Sequence, residues 1–140
     1  MGRHGKVRSA NVKHEYSEMF LDDIYISLLR QLDNCKNENE EACKKLQIKV
    51  MILFNMVQNS SRWYSVRDFI EGFNLNNEQK WISFISMFLY RLYKRGFLER
   101  RLIPLMKGAP YEYRVRMEKV KNPIIFIYMS IEDIIKAGVL

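Results

Sequence analysis

Residues 76–101 read NNEQKWISFISMFLYRLYKRGFLERR. Placed on a helix turning about 100° per residue, Trp81, Ile85, Phe88, Leu89 and Leu92 fall on one apolar stripe, with Ile82 on its edge. Gln79, Lys80, Ser83, Met87, Tyr90 and Lys94 face away, flanked by Phe84 and Arg91. A helix that only filled a core would carry a charged outer face, whereas this one is polar, adaptable and mildly basic. Asn76 is placed to cap the helix, with Gln79 at the third position. Gly96 supplies its stop.

Working outward, Ser65 and Asp68 in SVRD have capping-box spacing and open a short helix VRDFIEGF, closed by Gly72 and Asn74. RWYS at 62–65 is a short β-prone piece. On the other side, YEYRVRM alternates strictly: Tyr111, Tyr113, Val115 and Met117 face one way, Glu112, Arg114 and Arg116 the other. That is the pattern of a half-buried strand. FLERRLI at 97–103 is its partner, and PLMKGAP at 104–110 is the tip of the hairpin. Upstream, Leu46, Val50, Leu53, Phe54 and Val57 predict a helix over 42–58, and Tyr16, Phe20, Ile24, Leu28 and Leu32, flanked by Met19, Leu21, Tyr25 and Leu29, predict another over 15–32 with a wide apolar stripe. Downstream, PIIFIYM reads as extended, followed by a terminal helix capped by Ser130 and Asp133 and ending at Gly138.

Charge is distributed unevenly. The net charge is +7. Residues 1–14 hold Arg3, Lys6, Arg8 and Lys13 without an acid and read as a disordered basic arm. Residues 94–121 hold nine Lys/Arg against three Glu, while residues 15–41 are acidic. Clustered positive charge favours a polyanionic partner.

Several function classes are set aside. No apolar run approaches the roughly 20 residues needed to span a bilayer, and the N-terminus has no apolar segment typical of a signal, so no membrane is expected and the protein is placed in the cytoplasm. Cys35 and Cys43 lie eight apart in a polar segment with no histidine near them; a zinc site needs about four ligands, so no metal or other cofactor is expected. Two free thiols are the plain reading and a local disulfide the alternative. There is no glycine-rich phosphate loop, no histidine beside a nucleophile and no carboxylate cluster with ligand spacing, so no enzyme is expected.

The order helix, short strand, short capped helix, turn, longer helix and β-hairpin over residues 43–117, carried by YSVRDFIEGFNLNNEQKWISFISMFLYRLYKRGFLERR, resembles the winged helix-turn-helix superfamily. The "RGFLERR" ending is frequent where a recognition helix passes into the first wing strand. The resemblance covers just over half of the chain. It implies a mainly α fold with a β-hairpin wing (α+β), forming a single domain over 15–140 with its core at about 43–117. It also implies sequence-specific binding of double-stranded DNA, most simply by a transcriptional regulator associated with the nucleoid; partition or replication control would use the same architecture.

In that reading helix 76–95 enters the major groove. Gln79, Lys80 and Ser83 suit base edges or phosphate, Met87 and Tyr90 offer apolar contact, and Arg91 and Lys94 suit phosphate. Ser65, Arg67 and Asn77 stand at the entry to the motif. The 97–117 wing, with Arg100, Arg101, Lys107, Arg114 and Arg116, lies along the backbone or minor groove. Arg3, Lys6 and Arg8 of the arm reach an adjacent minor groove. The extensions 15–41 and 122–140 carry surplus apolar surface. They either build a homodimer through Phe20, Ile24, Leu28, Ile125, Ile127 and Ile134 or pack on their own domain. A protein-interaction module using Phe84, Met87 and Tyr90 is the competing reading.

Overall fold

The computed structural model describes residues 19–35, 39–76, 79–104, 107–108 and 110–139. The chain is mainly helical with a small antiparallel sheet. In order it forms α1 (Leu21–Asp33), α2 (Glu40–Gln58), β1 (Tyr64–Ser65), α3 (Val66–Gly72), α4 (Gln79–Lys94), β2 (Leu98–Leu102) and β3 (Tyr111–Val115). Two 3-10 turns (Met117–Lys119 and Pro123–Ile127) and α5 (Ile131–Lys136) complete it. Among the described residues no helix is long and apolar enough to cross a membrane.

The local signals around α3 and α4 act as expected. The Ser65 side chain accepts from the Asp68 N–H at 3.2 Å, and the Asp68 carboxylate in turn accepts from the Ser65 N–H at 2.8 Å. Two N–H groups at the helix start are thereby satisfied. Asn74 adopts φ 56°. The cap of α4 is expected at Asn76; the described helix begins at Gln79, and residues 77–78 between them lie outside the described residues. At the other end Gly96 takes φ +85°, and the Phe97 N–H bonds the Leu92 carbonyl at 3.0 Å. This reversal inserts Phe97, fully buried, into the core and launches β2 back along α4.

The sheet runs in the order β1-β3-β2, so β3 is central. Leu98 faces Val115 and Arg100 faces Tyr113, while Glu99 faces Arg114 and Arg101 faces Glu112. Leu98, Tyr113 and Val115 are buried, so one face closes the core. The other face carries the Arg–Glu pairs.

Three expectations about the extensions are corrected. Residues 15–18 lie outside the described residues, and α1 starts at Leu21, with Phe20 extended at φ −115°, ψ 152°. Its buried residues are Leu21, Asp22, Tyr25, Leu28 and Leu29, so within the expected wide stripe the Leu21–Tyr25–Leu29 flank lies deepest. Long-range contacts hold that flank inward. The Tyr25 hydroxyl donates to the Tyr128 carbonyl at 2.6 Å, its ring lies 4.6 Å from that of Phe126, and the Asp22 carboxylate accepts from the N–H groups of Lys121 and Asn122 at 2.8 and 2.7 Å.

The expected strand at 123–129 is instead a 3-10 turn. Pro123 opens it, and the Asn122 side chain accepts from the Ile124 N–H at 3.2 Å. An Asx side chain before proline favours such a turn over an extended run. The turn and α5 pack on α1 and α2, burying Ile125, Phe126, Ile131 and Ile134. Leu28, Ile125 and Ile134 therefore belong to the chain's own core and are not available to a second copy. Phe20 and Ile24 are half-buried, and Ile127 remains exposed.

The plain expectation for the cysteines is also corrected. Cys35 and Cys43 form a disulfide, with Cα atoms 5.8 Å apart, that ties the end of α1 to the first turn of α2.

Candidate nucleic-acid interface

The amphipathic character of α4 places its two faces as the periodicity predicts. Trp81, Ile85, Leu89 and Leu92 are buried, with Phe88 and Ile82 half-buried at the edges. Gln79, Lys80, Ser83, Met87, Tyr90, Arg91 and Lys94 are all exposed. Met87 at 47% and Tyr90 at 40% are among the most exposed large apolar side chains on the domain.

Because Gly96 folds β2 back beside α4, the hairpin and the helix form the walls of one groove of about 760 Å³. The start of α3 contributes Ser65, Val66, Arg67 and Ile70. Helix α4 contributes Gln79, Ile82, Ser83, Ser86, Met87 and Tyr90. The hairpin contributes Arg100, Lys107, Gly108, Tyr111 and Tyr113. Residues from three elements, far apart in sequence, thus share a surface. Among the described residues no carboxylate lines it, while Arg67, Arg100 and Lys107 do.

Arg100 is held among aromatic rings. Its guanidinium lies 3.9 Å from the Tyr111 centroid, 4.3 Å from Tyr93 and 5.7 Å from Tyr90. Burial draws its pKa down, but the Tyr113 side chain, with Tyr111 and Tyr93, more than offsets this and leaves it raised; like any arginine it is charged. Gln79 donates to the Ser83 hydroxyl at 3.2 Å, so these two polar groups satisfy each other across one helical turn. Both are exposed, and a ligand can exchange that bond for its own. Ser65 has less freedom, because its hydroxyl already caps α3.

The basic residues of the hairpin divide between two faces. Arg100 and Lys107 line the groove. The expectation that Arg101, Arg114 and Arg116 join them is corrected. Arg101 bonds Glu112 at 2.9 Å, Arg114 pairs with Glu99, and both guanidinium groups lie 4.4 Å from the Trp63 ring centroid. Arg116 reaches Glu118 at 3.6 Å and the Leu98 carbonyl at 3.4 Å. The physical reason is strand alternation: residues 99, 101, 112 and 114 share the face opposite Arg100. Their charges are compensated there.

On the other flank of α4, Lys80 bonds Glu41 at 2.9 Å. Lys80 holds the Glu41 carboxyl below its usual range, aided by Lys45 and Lys44. Both partners are more than half exposed, and such a surface pair is worth little. Arg91 and Lys94 are exposed but do not line the groove. Phe84 is half-buried, with Lys45 and Lys49 each 5.6 Å above its ring. Asn77, Arg3, Lys6 and Arg8 lie outside the described residues.

Sequence reasoning missed Ser86 and Tyr111 as groove residues. Ser86 sits on the helix seven residues after Gln79, a spacing that was readable. Tyr111 belongs to the inward face of its strand, yet it lies at the end of β3 toward the hairpin tip, where that face opens onto the groove. No protein-family model matches the chain, and no curated protein or solved structure matches it significantly.

Proposed function

We propose that the chain is a sequence-specific double-stranded DNA-binding protein with a winged helix-turn-helix core. In this reading α4 enters the major groove, and the β2–β3 hairpin is a wing on the backbone or minor groove. The observation that carries it is one groove joining the α3 start, the exposed face of α4 and the hairpin, with Arg67, Arg100 and Lys107 on its walls and, among the described residues, no carboxylate lining it. Gln79 and Ser83 supply side chains able to read base edges, and Met87 supplies apolar contact for a thymine methyl. The sheet order and the helix–strand–helix–helix–hairpin succession are consistent with the winged-helix assignment.

A transcriptional regulator is the simplest role, with partition or replication control served by the same surface. A homodimer would place two copies of α4 about one DNA turn apart. With Leu28, Ile125 and Ile134 committed to the core, its interface falls to the apolar residues left exposed at the C-terminal extension: Ile124, Ile127, Met129 and Ile135.

The second reading, a protein-interaction module, is favoured by the exposure of Met87 and Tyr90. It loses Phe84, which Lys45 and Lys49 cover. Fluorescence anisotropy on random-sequence duplexes at several salt concentrations separates the two. DNA binding predicts affinity that falls steeply with salt, and Ser83→Ala then removes preference for a selected site. Absence of duplex binding at low salt overturns it in favour of the protein partner.

A further inference from the structure

The outward ridge of α4, along Ser83, Met87 and Lys94, has a basic wall on each side. One is the hairpin with Arg100 and Lys107. The other is formed where α2 crosses α4. Lys45 and Lys49 of α2 lie over Phe84, and Lys49 also lies 5.5 Å from the Phe88 centroid. Arg91 follows Phe84 and Phe88 on the same side of the helix, close enough to act electrostatically on Lys49.

Three positive groups are thus gathered at one spot, and among the described residues none of them forms an ion pair. Glu41, the carboxylate that feels Lys45, bonds Lys80 instead. Burial, then Arg91 and Lys45, lower the pKa of the Lys49 ammonium, as expected of a cationic site without its counter-charge. The aromatic rings beneath hold the ammonium groups in place, so little ordering remains to be done on binding.

We propose that Lys45 and Lys49, with Arg91, form a second phosphate clamp that grips the DNA strand on the side of α4 opposite the hairpin. The inference rests on the duplex-binding reading above and specifies how the helix is seated. A helix with side chains is about 10–12 Å across and the major groove about 12 Å wide, so both flanks of an inserted helix meet phosphates. The hairpin takes one strand and the α2–α4 crossing takes the other. Charge on both walls centres the helix, and a single basic wall would leave it free to tilt.

The test compares wild type, K45Q/K49Q/R91Q and R100Q/K107Q by anisotropy on one duplex over a fourfold range of salt, with far-UV circular dichroism on each. Loss of three phosphate contacts should reduce the slope of log affinity against log salt by about 2.7. Wild type would then lose about forty-fold more affinity than the triple variant over that range. The preferred sequence should not change. If the triple variant fails to fold, R91Q alone, at an exposed position, should reduce the slope by about 0.9. A slope equal to wild type in the α2–α4 variants, alongside a reduced slope in R100Q/K107Q, overturns the clamp and leaves the DNA-binding reading standing. No wild-type binding to duplex at low salt overturns both.

Discussion

Lys49 is held in an environment that disfavours its own charge, with burial acting first and the neighbouring Arg91 and Lys45 adding to it. Its folded-state pKa therefore lies below the ordinary lysine value. The cost is fully present below the folded pKa and is relieved as pH rises from there toward that ordinary value. Lys49→Met keeps an unbranched stem against Phe84 and Phe88 while removing the charge. We expect a small gain in stability, on the order of 0.5 kcal/mol after solvent screening is discounted. In thermal melts that gain should shrink as the pH approaches the ordinary lysine range, while duplex affinity falls. A melting temperature lowered at neutral pH would contradict this account. Lys107→Gln, in the lining of the groove, should weaken binding evenly across DNA sequences and reduce the salt slope by about 0.9. The outward positions of Gln79, Ser83, Met87 and Tyr90 were legible from helical periodicity because one stripe of α4 is so much more apolar than the rest. The Lys45–Lys49–Arg91 cluster was not, because its members lie on two helices whose crossing no local pattern encodes.

At the scale of elements, capping chemistry and reversals set the boundaries, and these were readable. The Ser65–Asp68 box, the Ser130 cap and the positive φ of Gly96 act through neighbours only a few residues away. Gly96→Ala meets no steric obstacle, since no atom lies within 4 Å of an added Cβ, but it places a side chain at φ +85°. It should cost about 1–2 kcal/mol, measurable by urea unfolding, and should loosen the hairpin against α4. Asp22 tests the opposite kind of determinant. Its buried carboxylate receives two backbone N–H groups from a segment about a hundred residues away. Asp22→Ala leaves both donors without a partner and should destabilise by roughly 2–4 kcal/mol. An unchanged urea midpoint would mean that the C-terminal segment does not depend on this anchor. Nothing in the local sequence marks Asp22 out from the other acids of residues 15–41.

Across the whole molecule, the disulfide and the C-terminal wrap join the extensions to the core. Cys35 and Cys43 close a short loop, and Cys35→Ser with Cys43→Ser should lower stability by about 2–3 kcal/mol through the added freedom of the unfolded chain. Oxidised wild type should show a correspondingly higher melting temperature than the same protein in reductant. If the proposed dimer exists, light scattering should give twice the 16.9 kDa chain mass, and Ile127→Glu, at a half-exposed position, should return it to one chain without unfolding it. A wild type that scatters as a single chain at all concentrations rules the dimer out. Residue order alone marked out the principal helices, the start of α3, the stop of α4, the β-hairpin, and which side of α4 meets solvent. Those features follow from short-range periodicity, caps and turns, whose partners lie within a few residues. The packed fold was needed to show which flank of the α1 stripe lies deepest, that Pro123–Ile127 turns instead of extending, that Leu28, Ile125 and Ile134 serve the chain's own core, and that Glu99 and Glu112 pair with Arg114 and Arg101 behind the sheet. Alternation already turned Arg114 away from the apolar face, but each of these other features depends on contacts between residues distant in sequence, which no local pattern encodes.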